Sequence, residues 1–251
     1  MGSRYVGSKW KKTAVLLQTK EIASYVPNTK RLTRSSLETM LHEYGMVYVK
    51  PDVGTFGQGV MRVERKTGTS GEVYRYQSGT KARDFARFDD LFRSLLQRTR
   101  GRSYLVQKGI QLLKYNGRRF DIRVMVQHDP HKNWETTALI GRVAAPRKVV
   151  TNYHSGGTPM PVETLLAPHL GRVNRHLLIQ EMRTMGKQVA RRLQASFPGI
   201  REIGIDVGVD HTFRPWIFEV NTKPDPYIFR HLPDKRIVRK VIRYAKAYGR
   251  L

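Results

Sequence analysis

Near the C-terminus, FEVNTKP (218–224) runs from an apolar, strand-like stretch into Glu219, Asn221 and Lys223. Residues i and i+2 of an extended strand share a face, so Glu219 and Asn221 can present oxygen atoms to one point. Asp206, in EIGIDVGVD (202–210), lies in the neighbouring strand-like segment, and antiparallel pairing could bring it to the same place. Two carboxylates and an amide oxygen form a hard ligand set that suits Mg2+ or Mn2+ holding phosphates. The chain has no cysteine and no cluster of histidines, which argues against zinc. Either acid alone is better read as a partner for one of the many Arg and Lys residues. The trio at the ends of two apolar strands resists that reading, because an unpartnered buried charge costs on the order of several kcal/mol.

Three further stretches carry residues suited to phosphate chemistry. In VKPDVGTFGQG (49–59), Gly54, Gly57 and Gly59 let the backbone approach a ligand, and its N–H groups could cradle phosphate oxygens. Lys50 adds a point charge at the end of the preceding strand. No Gly-Lys-Ser/Thr closes the stretch, so it is not a P-loop, and a flexible hairpin loop is an equal reading of it alone. In RRFDIRVMVQ (118–127), Asp121 and Arg123 share a strand face opposite Ile122 and Val124. Arg suits bidentate contact with a carboxylate or phosphate, though an internal Asp–Arg pair is a common alternative. TNYHSGG (151–157) offers Asn152, His154 and a Gly pair in a loop that could shape a substrate site or simply turn the chain.

The elements that must position these residues follow a mixed α+β order. SSLETMLHEYG reads as a helix, with Ser35 and Glu38 at capping-box spacing and Gly45 as its stop. MVYVK (46–50) is strand-like, and VMRVER and EVYRYQ form a hairpin around TGTSG. A helix covers 88–99 and a short strand lies in SYLVQKGI (103–110). A long antiparallel pair turns near Asp129–Asn133, and Leu170–Phe197 has helical periodicity interrupted at Gly186. EIGIDVGVD and PWIFEVN pair around His211–Arg214. A terminal helix places Ile237, Val241 and Ile242 on one face, its basic residues forming a solvated face.

The 251 residues, 39% of them hydrophobic, suffice for one large domain or two lobes sharing a site. Lys and Arg number 46 against 20 Asp and Glu, a formal charge of +26 that calls for an anionic partner. The lack of cysteine excludes a disulfide scaffold and a thiol nucleophile. No apolar run reaches membrane-spanning length, and the basic start lacks a signal-peptide core, so a cytoplasmic protein is the simplest expectation.

Taken in order, these pieces resemble an ATP-grasp enzyme, and most closely the YheC/YheD family of endospore coat-associated ATP-grasp proteins. VPNT, YVKPDVGTFGQGV, FDIRVMVQ, TNYHSGG, EIGIDVGVD and FEVNTKP carry the resemblance, from about Trp10 to Phe229. It implies two α+β lobes with the nucleotide between them: an N-terminal helical segment at 1–45, a small lid subdomain at 46–110 and a large lobe at 111–251. Lys50 would bind phosphates under the 54–59 lid, and backbone groups around Lys108–Ile110 would meet adenine with Gln107 nearby. Asp121 would also belong to the ATP site. Asp206, Glu219 and Asn221 would hold Mg2+, while Arg123 and Asn152 would face the γ-phosphate and the acceptor carboxylate. A further ATP-contacting lysine would be Lys12, with Lys9 and Lys11 left as alternatives. Asp225 stands where many relatives have Gly, and the sequence leaves little room for a separate N-terminal substrate domain.

The implied activity is ATP-dependent ligation of a carboxylate to an amine, with anionic substrates such as an acidic peptide or polymer. A kinase on the same scaffold is the alternative enzyme. A basic binding or coat-associated protein with a silent nucleotide site is the alternative from another class. Nucleic acid is not favoured as a partner, since no recognised nucleic-acid motif is present. Spore association follows from the resemblance alone.

Overall fold

The computed structural model describes residues 4–68, 71–151, 153 and 156–251. Helix α1 (Lys9–Leu16) starts at Ser8, whose side chain accepts from the Lys11 N–H. Asp52 reaches across to accept from the Ser8 hydroxyl and the Trp10 N–H, tying this helix to the glycine-rich loop. After the short α2 (Lys20–Ala23) come β1 (Thr29–Arg31) and α3 (Arg34–Tyr44). The capping box of α3 is Thr33 with Ser36, not Ser35 with Glu38. Thr33 is the last extended residue, so the helix opens two residues earlier than the Ser35–Glu38 spacing suggests. Gly45 ends α3 at φ 68°, as expected.

The strands β2 (Met46–Pro51), β3 (Met61–Gly68), β4 (Gly71–Ser78) and β5 (Lys81–Phe85), helix α4 (Phe88–Thr99) and strand β6 (Tyr104–Lys108) complete the small lobe. Its sheet is antiparallel in the order β1-β6-β2-β3-β4-β5. The expected hairpin is β3–β4, with Thr69 and Ser70 of its turn outside the described residues. Strand β5 is not expected from the sequence, because KARDF is polar and mostly exposed and so shows no alternation. Leu37, Met40 and Leu41 of α3 join Leu91 and Leu95 of α4 against the sheet's Val47, Val49, Val63 and Val106.

The large lobe contains β7 (Lys114–Tyr115), β8 (Arg118–His128), β9 (Trp134–Val143), β10 (Thr158–Met160), α5 (Val162–Leu166), α6 (Arg172–Ser196), β11 (Glu202–Val209), β12 (Pro215–Asn221) and α7 (Lys235–Ala247). A 3-10 turn, Tyr227–His231, precedes α7. The sheet runs β10-β9-β8-β11-β12, with β7 on β8, all antiparallel. Helix α6 is continuous through Gly186 rather than broken there. A Cβ at that position would lie 3.0 Å from Val126 and 3.2 Å from Val124, so the missing side chain lets the helix settle onto β8. On α7 the buried positions are Val238, Val241, Tyr244 and Ala245, with Ile237 and Ile242 at the margin.

Residues 4–45 divide between two cores. Leu16, Ile22 and Val26 pack into the large-lobe core with α6, whereas α3 belongs to the small lobe. The alternation of β8 then sets the site: Phe120, Ile122, Val124 and Val126 face the α6 core. Asp121, Arg123 and Met125 therefore face the other way, Met125 meeting the α7 cluster. No helix among the described residues is long and apolar enough to cross a membrane.

Candidate functional site

A cleft with about 860 Å3 of empty space opens between the two sheets. The small lobe contributes Tyr48, Lys50, Gly57, Val60, Gln107 and Lys108, and the large-lobe sheet contributes Arg119, Asp121, Arg142, Asp206, Phe218 and Glu219. Lys50 spans the cleft. Its ammonium donates to Gln107 Oε1 at 2.8 Å and to the Phe218 carbonyl of β12 at 2.7 Å. That carbonyl lies at an irregularity: Asp206 pairs with Glu219 but Val207 with Ile217, leaving Phe218 as the extra residue of a bulge. The Gln107 amide donates to Thr29 Oγ1, which fixes its oxygen toward Lys50.

The sheet register assembles the charged groups. Asp206 lies opposite Arg123 on one side and Glu219 on the other, while Asp121 lies opposite Arg142. Arg142 is 2% exposed and makes a fork to Asp121 at 2.8 and 2.6 Å. Its second nitrogen also lies 3.0 Å from Asp206 Oδ1, where Arg123 Nε donates at 2.6 Å. Thr151 donates to Asp121 at 2.6 Å. Burial opposes ionisation of Asp206, but the two guanidinium groups hold its carboxyl below the usual carboxylate range.

Lysines crowd the other side. Lys9 donates to the Gly54 carbonyl at 2.9 Å and lies 3.3 Å from Glu219 Oε1, so it couples the glycine loop to the acidic strand. Lys12 is buried and donates to the Val6 carbonyl at 2.8 Å. Desolvation lowers Lys12 and Lys50 each to about 8, against the opposing pull of Glu219. Lys9, Lys12, Lys50, Arg123 and Arg142 are five buried cations gathered around three carboxylates, Asp121, Asp206 and Glu219. A surplus of buried positive charge is relieved by loss of protons from the lysines or by a bound anion, and a polyphosphate would serve as that anion.

The expected residues are thus brought together unevenly. Lys50, Gly57, Gln107, Lys108, Ile110, Asp121, Asp206 and Glu219 line the cleft. Arg123 sits behind Asp206, and Asn221 lies opposite Gly204, two pairs further along β12 than Glu219. Gly54 contributes its carbonyl to Lys9. Gly57 and Gly59 hold φ of 71° and 74°. A Cβ on Gly59 would come within 2.7 Å of the Tyr104 hydroxyl, so both space and backbone demand glycine there. Of the backbone groups expected to meet a base, the N–H groups of Lys108 and Gly109 already donate to Asn28 and Met46. The Lys108 ammonium lies over the rings of Tyr44 and Trp216. Among the candidate lysines, Lys9 touches Glu219, Lys12 binds backbone and Lys11 is exposed. Asn152 and His154 lie outside the described residues.

Sequence reasoning missed Arg142 and Arg119. Arg142 is a lone cation inside the apolar run ALIGRVAA, and its signal is the same as that of Asp121 in RFDIRV. Among the described residues no group of three His, Cys, Asp or Glu could hold a metal ion. The donors expected from the sequence, Asp206 and Glu219 on paired strands with the Asn221 amide, are an all-oxygen set of the kind that suits Mg2+.

Two lobes built on antiparallel sheets, closed on a basic cleft under a glycine-rich loop, define an ATP-grasp fold. The solved structures agree. D-cycloserine synthetase DcsG aligns over 99% of this chain and 71% of its own, with TM-score 0.59 and 13% identity. An ADP complex of N5-carboxyaminoimidazole ribonucleotide synthetase, purK, aligns over 96% and 51%, with TM-score 0.55 and 11% identity. The ATP-grasp ligase PsnB, complexed with a minimal precursor, aligns over 95% and 60%, with TM-score 0.52 and 13% identity.

Within that fold the chain belongs to the YheC/D-like ATP-grasp family, whose model matches residues 1–251. It is similar to the endospore coat-associated proteins YheD (26% identity over 230 residues, 89% of this chain) and YheC (20% over 235 residues, 93%) of Bacillus subtilis strain 168. The chain spans 49% of the length of YheD and 64% of that of YheC.

Proposed function

We propose that the protein is an ATP-dependent carboxylate–amine ligase that forms ADP and an acyl phosphate. The observation that carries this reading is the cleft between the sheets, where the buried Lys50 and Arg142 stand beside the paired Asp206 and Glu219. Asp206, Glu219 and Asn221 would hold Mg2+, which when bound offsets phosphate charge. Lys50 would hold the phosphates of ATP beneath the loop at 54–59. Arg123, released from Asp206, would face the γ-phosphate together with Asn152. A carboxylate oxygen of the first substrate attacks the γ-phosphorus, and the bond from that phosphorus to the β,γ-bridging oxygen breaks. Charge grows on the transferred oxygens, and Lys50 and Arg123 are placed to offset it. An amine then attacks the acyl carbon, phosphate leaves, and the nitrogen loses a proton to form the amide. The Gly57 and Gly59 loop excludes water that would hydrolyse the intermediate. The charge surplus suits an acidic peptide or polymer as the carboxylate donor. Likeness to the two coat-associated relatives extends the proposal to spore association.

Hydroxylamine tests the mechanism. With ATP, Mg2+ and an acidic peptide, an acyl phosphate is intercepted as a hydroxamate, in step with ADP release. A stable phosphoester without hydroxamate would instead identify a kinase. ADP release from no carboxylate in a broad panel would leave the proposal without support and favour a silent nucleotide site.

The pH dependence of binding follows from the lysines. Free Lys12 and Lys50 lose their protons near pH 8, whereas a bound polyphosphate stabilises the charged form. Affinity for ATP is therefore full below about pH 8 and falls as pH rises. The expected slope is about tenfold per pH unit for each lysine that must be charged. Calorimetry at pH 8.5 in buffers of different ionisation enthalpy should show proton uptake on binding, and proton release would contradict the assignment.

A further inference from the structure

The same sheet face that carries Asp121 and Arg123 continues into a second feature. Met125, two residues beyond Arg123, and Ile140, two residues before Arg142, pack against Ile228, Phe229, Val238 and Val241. Helix α7 and the 3-10 turn before it therefore lie beside the cleft on one face of the large sheet. His231 of that turn meets Tyr153, in the loop that follows Thr151 of the cleft, with ring centroids 5.2 Å apart. On the outer side of α7, Arg230, Val238, Arg239, Ile242, Arg243 and Lys246 line a groove with about 770 Å3 of empty space.

The charges of this groove differ from those around it. Lys240 pairs with Glu135, Arg250 with Glu202, and Arg236 with the N-cap Asp234. Arg230, Arg239, Arg243 and Lys246 are exposed, and none of them forms an ion pair among the described residues. Arg239, Arg243 and Lys246 follow each other at helical spacing, so they form a cationic rail beside the half-buried Ile242 and the edge of the buried Val238. A helix of 13 residues is about 20 Å long, enough for about six residues of extended peptide.

We propose that this groove docks an acidic polypeptide with interspersed aliphatic residues, which delivers its reacting carboxylate to the cleft. The proposal rests on the ligase reading for the fate of the carboxylate, but the docking itself stands on the groove. Charge complementarity selects an anionic chain, and the Ile242 side chain between the cations favours a peptide with aliphatic residues over a nucleic acid. Base stacking needs a free aromatic face. The two tyrosines beside the groove are engaged: Tyr227 lies under Arg230, and Tyr244 is buried with its hydroxyl donating to Glu135.

Fluorescence anisotropy at 150 mM salt with a labelled Glu/Leu dodecapeptide tests the proposal. The probe is compared with its Gln/Leu counterpart and with a single-stranded oligonucleotide of equal charge. Arg239→Glu/Arg243→Glu should weaken the acidic peptide at least tenfold. Arg172→Glu/Arg191→Glu on exposed positions of α6 makes the same change in net charge and should leave binding within about threefold, the residue of a screened long-range field. Equal losses in the two double variants would reduce the groove to general charge and overturn the proposal. Groove-dependent binding of the oligonucleotide but not the peptide would overturn it in favour of nucleic acid. Thermal shifts with Mg·ATP are recorded on the same proteins. Their absence from the wild type would remove the ligase reading while leaving a groove-specific peptide result intact.

Discussion

Arg142→Met is expected to destabilise the protein by about 3–5 kcal/mol, the scale of breaking one side of a buried ion pair. For a chain of this length that lowers the melting temperature by about 6–20 °C. The reason is geometric. Arg142 makes both hydrogen bonds of a fork to Asp121 and a third contact to Asp206, all from a position 2% exposed. Methionine fills much of the volume but leaves Asp121 with only the Thr151 hydroxyl among its described partners. Adding Asp121→Leu removes the orphaned charge and should return part of the stability, because matched apolar residues often replace a buried pair at little cost. A melting temperature within 2 °C of wild type for the single variant would mean that water reaches Asp121 and the network is not a stability element.

Lys50→Met is expected to act in the opposite way, on binding and not on folding. A charge-assisted hydrogen bond to phosphate contributes about 1.5–3 kcal/mol, so affinity for ATP should fall about 10- to 150-fold. Stability should move little. The substitution strands Gln107 Oε1 and the Phe218 carbonyl, but it also removes an ammonium whose charged form burial already disfavours. Titration calorimetry and thermal melts on one sample separate the two effects. Unchanged affinity would take Lys50 out of the phosphate site and leave it as a strut between the lobes.

The carboxylates of the cleft were legible because strand alternation and chemistry point the same way, although each is met by a basic side chain. Glu219 and Asp206 stand alone among apolar neighbours, and the register does pair them. Asp121 and Arg123 were placed on the correct face by the same rule, but their partners were not foreseen. Asp121 binds Arg142 and Arg123 binds Asp206, because pairing across strands depends on register, which one sequence does not show. Local signals failed where tertiary contact overrides them. Gly186 reads as a break but serves a close approach to β8. The exposed β5 had no alternation to read, since it needs only backbone pairing with β4. The helices α1 and α3 looked like one N-terminal unit because nothing in the chain marks that Leu16 and Leu37 end in different cores.

Under the proposed function, Glu219 helps to hold a metal-bound nucleotide between the lobes. The most direct test is thermal unfolding of wild type and Glu219→Gln, each with a non-hydrolysable ATP analogue in Mg2+ or in EDTA. Ligand at a hundred times its dissociation constant adds about 2.7 kcal/mol, a shift of about 5–10 °C for this chain. That shift is expected in wild type with Mg2+, and its loss in EDTA and in Glu219→Gln. No shift in the wild type, or an equal shift in all four conditions, would contradict that role of Glu219.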